Sequence, residues 1–320
     1  MSEEKIPNFI PMRVDKSPLI DDVFGKARTF IDDLETNVKG KNVFEVLGIQ
    51  PNKTFLLEGE KGTGKTMSIK AYNNSKNKGI YDHIDENGKV DTCQYSVLSF
   101  AYDTGKYGTA YINMSSRVID AFFSQAGIYA QLGKSVLIQI DEADSLLASR
   151  TNNIQAHSED RKALETLMKN LQIAHDTPNM YVALITNLPE GCDDAALRSG
   201  RIDKRYKFVL PTEEERKIAF QKTIQKVNSR ANYQLIRGQR YDPLVELSEG
   251  FNYSDIVYSV ERSVRTKAED LVQSECKKLS SAPRVGRSLL EEAVKSHKRE
   301  FINKKTSKKI GYDTRKMSQV

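Results

Sequence analysis

The chain has few cysteines and histidines and no long apolar run. Its three cysteines, Cys93, Cys192 and Cys276, stand far apart with no C-x-x-C pair. That spacing argues against a disulfide framework or a zinc site and fits a reducing compartment, here expected to be the cytoplasm. The four histidines, His83, His157, His175 and His297, lack metal-ligand spacing and read as surface residues. No stretch approaches the roughly 20 apolar residues that cross a bilayer, so no membrane span is expected. The opening, Met1-Ser-Glu-Glu-Lys-Ile-Pro7, has no basic start followed by an apolar stretch and does not read as a secretory signal. Charge of one sign is confined to one end. The net charge is +6, and Arg284–Val320 alone holds 11 Lys/Arg against 4 Asp/Glu. The remainder is about neutral, so a uniformly basic nucleic-acid surface is not indicated.

What the sequence does contain is organised around Thr54-Phe-Leu-Leu-Glu-Gly-Glu-Lys-Gly-Thr-Gly-Lys-Thr66. The apolar run Phe55–Leu57 predicts a short buried strand. It leads into Gly59, Glu60, Lys61, Gly62, Thr63, Gly64, Lys65 and Thr66, which have the spacing of a phosphate-binding P-loop. Glycines at 59, 62 and 64 allow a tight turn whose N–H groups converge on phosphate oxygens. Lys65 supplies a point charge for the β- and γ-phosphates. The Thr66 hydroxyl suits Mg²⁺, a hard cation that prefers oxygen. A helix starting near Lys65 would direct its positive dipole end at the anion.

Taken in order, residues 1–20 carry Pro7, Pro11 and Pro18 and predict an extended or poorly ordered arm. A helix follows from Asp21, with Phe30, Ile31 and Leu34 on its apolar side, and a short helix or turn spans 42–48. Residues 73–92, rich in Asn, Lys, Asp and Gly, predict an inserted surface loop or hairpin. Further strands are expected at 94–100, 135–140, 180–186 and 206–210. A loop is expected around Tyr102, Tyr107 and Tyr111, and helices at 116–126 and 158–174. This alternation predicts an α/β fold with a parallel sheet between two helical layers, residues 21–210. After Pro211 only helical patterns occur, at 213–228, 243–248, 254–278 and 288–302. They predict a small all-helical domain, 211–302, before a basic tail, 303–320, expected to be disordered.

Ile140-Asp-Glu-Ala-Asp144 ends the third strand. Asp141 suits Mg²⁺ held through water, and Glu142 suits orientation and deprotonation of an attacking water. Asp144 also reads as a solvated helix cap. Asn187, just past the fourth strand, could reach a γ-phosphate or that water, and Asn-Leu-Pro is equally an ordinary turn. Ala195-Ala-Leu-Arg-Ser-Gly-Arg-Ile-Asp-Lys-Arg205 gathers cations before the fifth strand. A guanidinium there could cross a subunit boundary to a transferred phosphate, or the stretch could be a solvated basic loop.

Together these motifs resemble the AAA family of ATPases over about 21–267. Asp22-Val-Phe24-Gly looks like the adenine-side entry, Asn187 matches sensor 1, and Arg201 stands at the principal arginine-finger position. Glu249-Gly-Phe-Asn-Tyr-Ser-Asp-Ile256 resembles the nucleotide-side element of the helical lid, with Ser254 beside the ribose. The resemblance implies a homo-oligomeric ring, usually a hexamer, with ATP and Mg²⁺ bound between protomers. It also implies a central pore loop, onto which Tyr111 and Ile112 align; Tyr111 reads equally as a core residue at a helix start. Departures are Glu60-Lys61 in place of two prolines, Lys204 at the second finger position with Arg205 beside it, Asn113 in place of the pore-loop glycine, and Tyr253-Ser254 in place of Gly-Ala. Residues 73–92 exceed the family's usual length, and no folded substrate domain is read before the module.

The leading expectation is an ATP-hydrolysing remodeller of protein clients, recruited directly or through an adaptor. Alternatives are a motor or loader on nucleic acid, motivated by the Lys-rich tail, and a nucleotide-gated scaffold with slow turnover.

Overall fold

Phe55, Leu56 and Leu57 are fully buried, and they alternate. Leu56 points into one apolar core, while Phe55 and Leu57 point into another. A strand apolar on both faces must be covered by helices on both. Each such side chain contributes about 1.5–3 kcal/mol when fully buried, so this short run fixes a three-layer arrangement.

A computed structural model describes residues 6–78, 94–110, 114–147, 158–188, 201–237, 240–274 and 283–317. The chain divides into two compact units, Met1–Val209 and Leu210–Val320. The first begins with a single 3-10 turn, Ile20–Asp22, then α1 (Lys26–Lys39), α2 (Lys41–Val46), β1 (Thr54–Gly59) and α3 (Lys65–Lys76). There follow β2 (Val97–Asp103), α4 (Thr104–Ala110), α5 (Ser115–Gln131), β3 (Ser135–Asp141), α6 (Asp144–Leu147), α7 (Ser158–Asp176), β4 (Met180–Thr186) and β5 (Lys204–Phe208). The sheet order is β2-β3-β4-β1-β5, and every pair is parallel. Leu56 lies opposite Leu184 on one side and Arg205 on the other. Val136, Ile138 and Ile140 of β3 and Val182 and Leu184 of β4 join Leu56 under α5 and α7. Leu137, Tyr181, Ala183 and Ile185 face the opposite core, with Phe30, Ile31 and Leu34 of α1 and Ile69 and Tyr72 of α3.

Two stretches of the first unit differ from the sequence reading. Residues 104–110 form α4 rather than a loop. The Asp103 carboxylate accepts the Lys106 N–H at the start of this helix, and Tyr107 packs against Tyr102. Asn73 and Asn74 lie within α3, and they and Asn77 are buried rather than part of a surface insertion. Asn77 serves β2: its amide donates to Val97 O and its carbonyl accepts the Ser96 N–H. Asn74 serves the arm, accepting the Asp15 N–H and donating to Pro18 O.

The arm is extended and anchored. Met12 N–H donates to Ser99 O of the edge strand β2, and Phe9 N–H donates to the Gln125 side chain. The Phe9 ring is buried edge-on against Phe122 and Tyr107, with centroids at 4.9 and 5.2 Å.

The second unit contains α8 (Glu213–Ala231), α9 (Asp242–Leu247), α10 (Tyr253–Gln273) and α11 (Arg287–Met317). Capping boxes start two of them, Thr212 with Glu215 and Asn252 with Asp255, each satisfying otherwise orphaned N–H groups. The backbone of α11 runs through 303–317, where disorder is expected; that stretch contains no proline to stop it. His297 is not a surface residue: its Nε2 lies 2.9 Å from Asp255 and its ring packs on Phe251.

Candidate active site

The P-loop follows from its glycines. Gly59 has φ +144°, and a Cβ there would lie 2.1 Å from the Phe208 carbonyl oxygen. Only glycine allows β5 to pair that closely as the chain leaves β1. Gly62 and Gly64 have φ +79° and +99°, which turn the chain into α3. Lys65, the first residue of α3, is buried, and its ammonium donates to Gly59 O at 2.6 Å and Glu60 O at 2.7 Å. Burial lowers its pKa to about 8, a shift that the nearby carboxylates of Asp141, Glu60 and Asp144 only partly offset. Thr63 Oγ1 donates to Glu60 O and closes the loop on itself.

The acidic pair ends β3, two strands from β1. Thr66 Oγ1 donates to Asp141 Oδ2 at 3.1 Å, so hydroxyl and carboxylate already share one spot. Gln139 Nε2 approaches the same oxygen at 3.4 Å, and the Glu142 N–H donates to Asp141 Oδ1. A hydroxyl and a single carboxylate are a donor set that Mg²⁺ accepts when water and phosphate fill its other positions. Glu142 has φ +50°, uncommon for a residue with a side chain, and its carboxylate is half-exposed. The Lys61 ammonium lies 3.7 Å from it. Thr104 of α4 donates to the carbonyls of both Asp141 and Glu142. Nothing in the sequence marks Thr104; only the pairing of β2 with β3 brings it here.

Asn187 follows β4, and its N–H approaches the Asp144 carboxylate, which also accepts Thr186 Oγ1. Asp144 therefore ties the ends of β3 and β4 together rather than only capping α6. Asp22 accepts the Leu19 N–H and closes the 3-10 turn, which packs on α3, with Phe24 just beyond it.

Arg201 stands elsewhere. It is exposed and precedes β5, at the sheet edge opposite the P-loop. The P-loop leaves β1 after Gly59, whereas Asp203 N–H is fixed to Thr54 O at the strand's other end. Five residues of strand, roughly 16 Å, separate the two levels. Lys204 is paired with Asp33 at 2.5 Å. Ser254 lies exposed in the first turn of α10, in the second unit. Tyr111 and Ile112 lie outside the described residues.

The sheet thus gathers Gly59–Thr66, Asp141, Glu142 and Asn187 at the carboxyl ends of β1, β3 and β4, the usual ligand side of an open parallel sheet. Comparison with known proteins agrees with this geometry. Residues 55–210 match the model of the ATPase family associated with various cellular activities (AAA). The 26S proteasome subunit RPT4 of Saccharomyces cerevisiae is 29% identical over 234 residues, 72% of this chain and 46% of that one. The proteasome-activating nucleotidase of Sulfurisphaera tokodaii is 26% identical over 224 residues, 70% of this chain and 50% of that one. An AAA ATPase forming ring-shaped complexes from Bifidobacterium longum is 28% identical over 194 residues, 60% of this chain and 36% of that one. The chain spans about half, or less, of the length of these relatives. The parallel β2-β3-β4-β1-β5 sheet and the P-loop between β1 and α3 thus agree with the AAA domain matched over residues 55–210.

Proposed function

We propose that this protein hydrolyses ATP at a pocket completed by a second copy of itself, and uses the cycle to remodel protein clients. One observation carries the reading. The phosphate cradle and acidic pair lie at one edge of the sheet, and Arg201 lies at the other, roughly a strand length away. A cation so far from its own P-loop serves a phosphate only in a neighbouring molecule.

In this reading the P-loop N–H groups and Lys65 bind the β- and γ-phosphates. Thr66 and Asp141 would hold Mg²⁺, whose charge would offset that of the phosphates. Glu142 accepts the proton of the attacking water, and Asn187 orients that water. Arg201 of the adjacent copy neutralises charge developing on the transferred group. Asp22 and Phe24 border the nucleoside. The expected assembly is a ring of six, with Tyr111 and Ile112 gripping an extended polypeptide by apolar contact without reading its sequence.

The relatives support this reading: they are proteasome regulatory subunits, a proteasome-activating nucleotidase and a ring-forming ATPase. Among the described residues no helix is long and apolar enough to cross a membrane.

The test is steady-state ATP hydrolysis as a function of protein concentration, with Glu142→Gln and Arg201→Ala beside the parent. Specific activity should fall on dilution below the assembly range. Glu142→Gln should lose at least a hundredfold in kcat and Arg201→Ala about a thousandfold. Undiminished activity of a dilute monomer would overturn the shared pocket.

A further inference from the structure

The segment that leads from Arg201 into β5 is fixed by Asp203. One carboxylate oxygen of Asp203 accepts two consecutive backbone N–H groups, Lys53 at 2.7 Å and Thr54 at 2.8 Å. Its own N–H donates to Thr54 O at 2.9 Å. Its second oxygen lies 3.7 Å from His175 Nε2. The amides belong to the entry into β1, the strand that leads to the P-loop.

The same junction holds the end of α7. Lys53 is buried, and its ammonium donates to His175 O at 2.6 Å and Thr177 O at 3.0 Å, the carbonyls that close this helix. A cation there meets the negative end of the helix dipole. On either side of Asp203 the chain is also held: Ile202 is buried in the core under α5 and α7, and Lys204 is bound to Asp33 of α1. Three successive residues are thus tied to three different elements, and the next residue toward the amino terminus is the exposed Arg201.

We infer that Asp203 is a positioning residue: by clamping the two amides at the entry to β1, those of Lys53 and Thr54, it holds Arg201 in the orientation that reaches a neighbouring copy's phosphate. The inference rests on the shared-pocket reading above and adds the group that aims its cation. A charged oxygen that accepts two backbone N–H groups makes two charge-assisted hydrogen bonds, stronger than neutral ones, and so holds the residue firmly in place. A guanidinium at the end of a slack loop would still be charged but would seldom be in line.

The experiment uses the full chain and three substitutions: Asp203→Ala, Asp203→Asn and Arg201→Ala. Asp203→Ala should lose about a hundredfold in kcat, as expected for a misaimed group, with KM for ATP unchanged because its own cradle is intact. Asp203→Asn keeps a carbonyl oxygen for the two amides and should retain activity within a few fold. Asp203→Ala subunits mixed with Lys65→Ala subunits should regain hydrolysis, because the second supplies the cation and the first the cradle. Arg201→Ala should complement in the same mixture. If Asp203→Ala does not fold, Asp203→Glu, whose longer side chain overshoots the amides, is assayed in its place with the same expectation.

Wild-type turnover in Asp203→Ala, or failure of the mixture to recover while Arg201→Ala recovers, would overturn the inference and leave the shared pocket standing. Full activity of Arg201→Ala itself would overturn the shared pocket, and the inference with it.

Discussion

Asp33 and Lys204 meet at 2.5 Å, and Tyr206 donates its hydroxyl to the same carboxylate oxygen at 2.6 Å. The ammonium also lies over the Tyr206 ring, 5.4 Å from its centroid. Lys204, the first residue of β5, therefore joins that strand to α1 within its own molecule. Burial pushes the Asp33 carboxyl up, but the hydrogen bonds from Lys204 and Tyr206 and the charge of Lys204 outweigh it and hold it below the ordinary 3.8.

Lys204→Met should cost stability and spare turnover. The expected loss is about 1 kcal/mol, because both groups are partly exposed and solvent screens the pair. A carboxylate whose pKa is depressed on folding contributes stability above its unfolded value, and this is lost as pH falls through the folded value. The deficit of Lys204→Met should thus be full at pH 7 and shrink below about pH 4. Urea unfolding at both pH values and a parallel ATPase assay check this; a large drop in kcat with stability unchanged would give Lys204 a catalytic role instead.

Gly59→Ala should be among the most damaging single-methyl changes in the chain. The added carbon meets the Phe208 carbonyl at 2.1 Å and needs φ +144°. Separation of β1 from β5 should cost on the order of 2–4 kcal/mol and weaken ATP binding. Thermal unfolding with and without ATP measures both; a protein as stable as the parent would contradict the close strand approach.

Thr104→Val keeps the shape of the side chain but removes the donor to the Asp141 and Glu142 carbonyls. Loosening the turn that carries Glu142 should lower kcat about tenfold while ATP affinity holds. Equal losses in kcat and affinity would mean that the hydroxyl supports the whole pocket rather than the acidic turn.

Phe9→Ala should destabilise the first unit by about 3 kcal/mol, since a buried ring leaves a cavity beside Phe122 and Tyr107. The denaturant midpoint reports it. A shift of a few tenths of a kcal/mol would show that the arm only rests on the surface.

The strands were legible where apolar residues run unbroken, as at Phe55–Leu57 and Met180–Thr186, because a parallel sheet buries both faces. The P-loop was legible because its glycines and Lys65 have fixed spacing. Glu142 and Asp141 were legible as an acidic pair at a strand end. Thr104, Asp203 and the Lys61–Glu142 approach were not, because each depends on chain segments remote in sequence arriving together. The arm was read by its prolines, which predict extension; its anchoring depends on Asn73, Asn74 and Gln125, polar residues with no periodic signature. Residues 104–110, with two glycines among them, lack a helical pattern, and the helix there forms on Asp103 and the Tyr107 ring.

A fragment cut at Asp21, where composition alone suggests a natural start, would lose more than a tail. With Met12 gone, Ser99 O on the outermost strand would lose its partner, and with Phe9 gone a patch of Phe122 and Tyr107 would face water. An open strand border beside a greasy hollow invites self-association. Such a fragment is expected to precipitate at concentrations where the intact polypeptide stays clear.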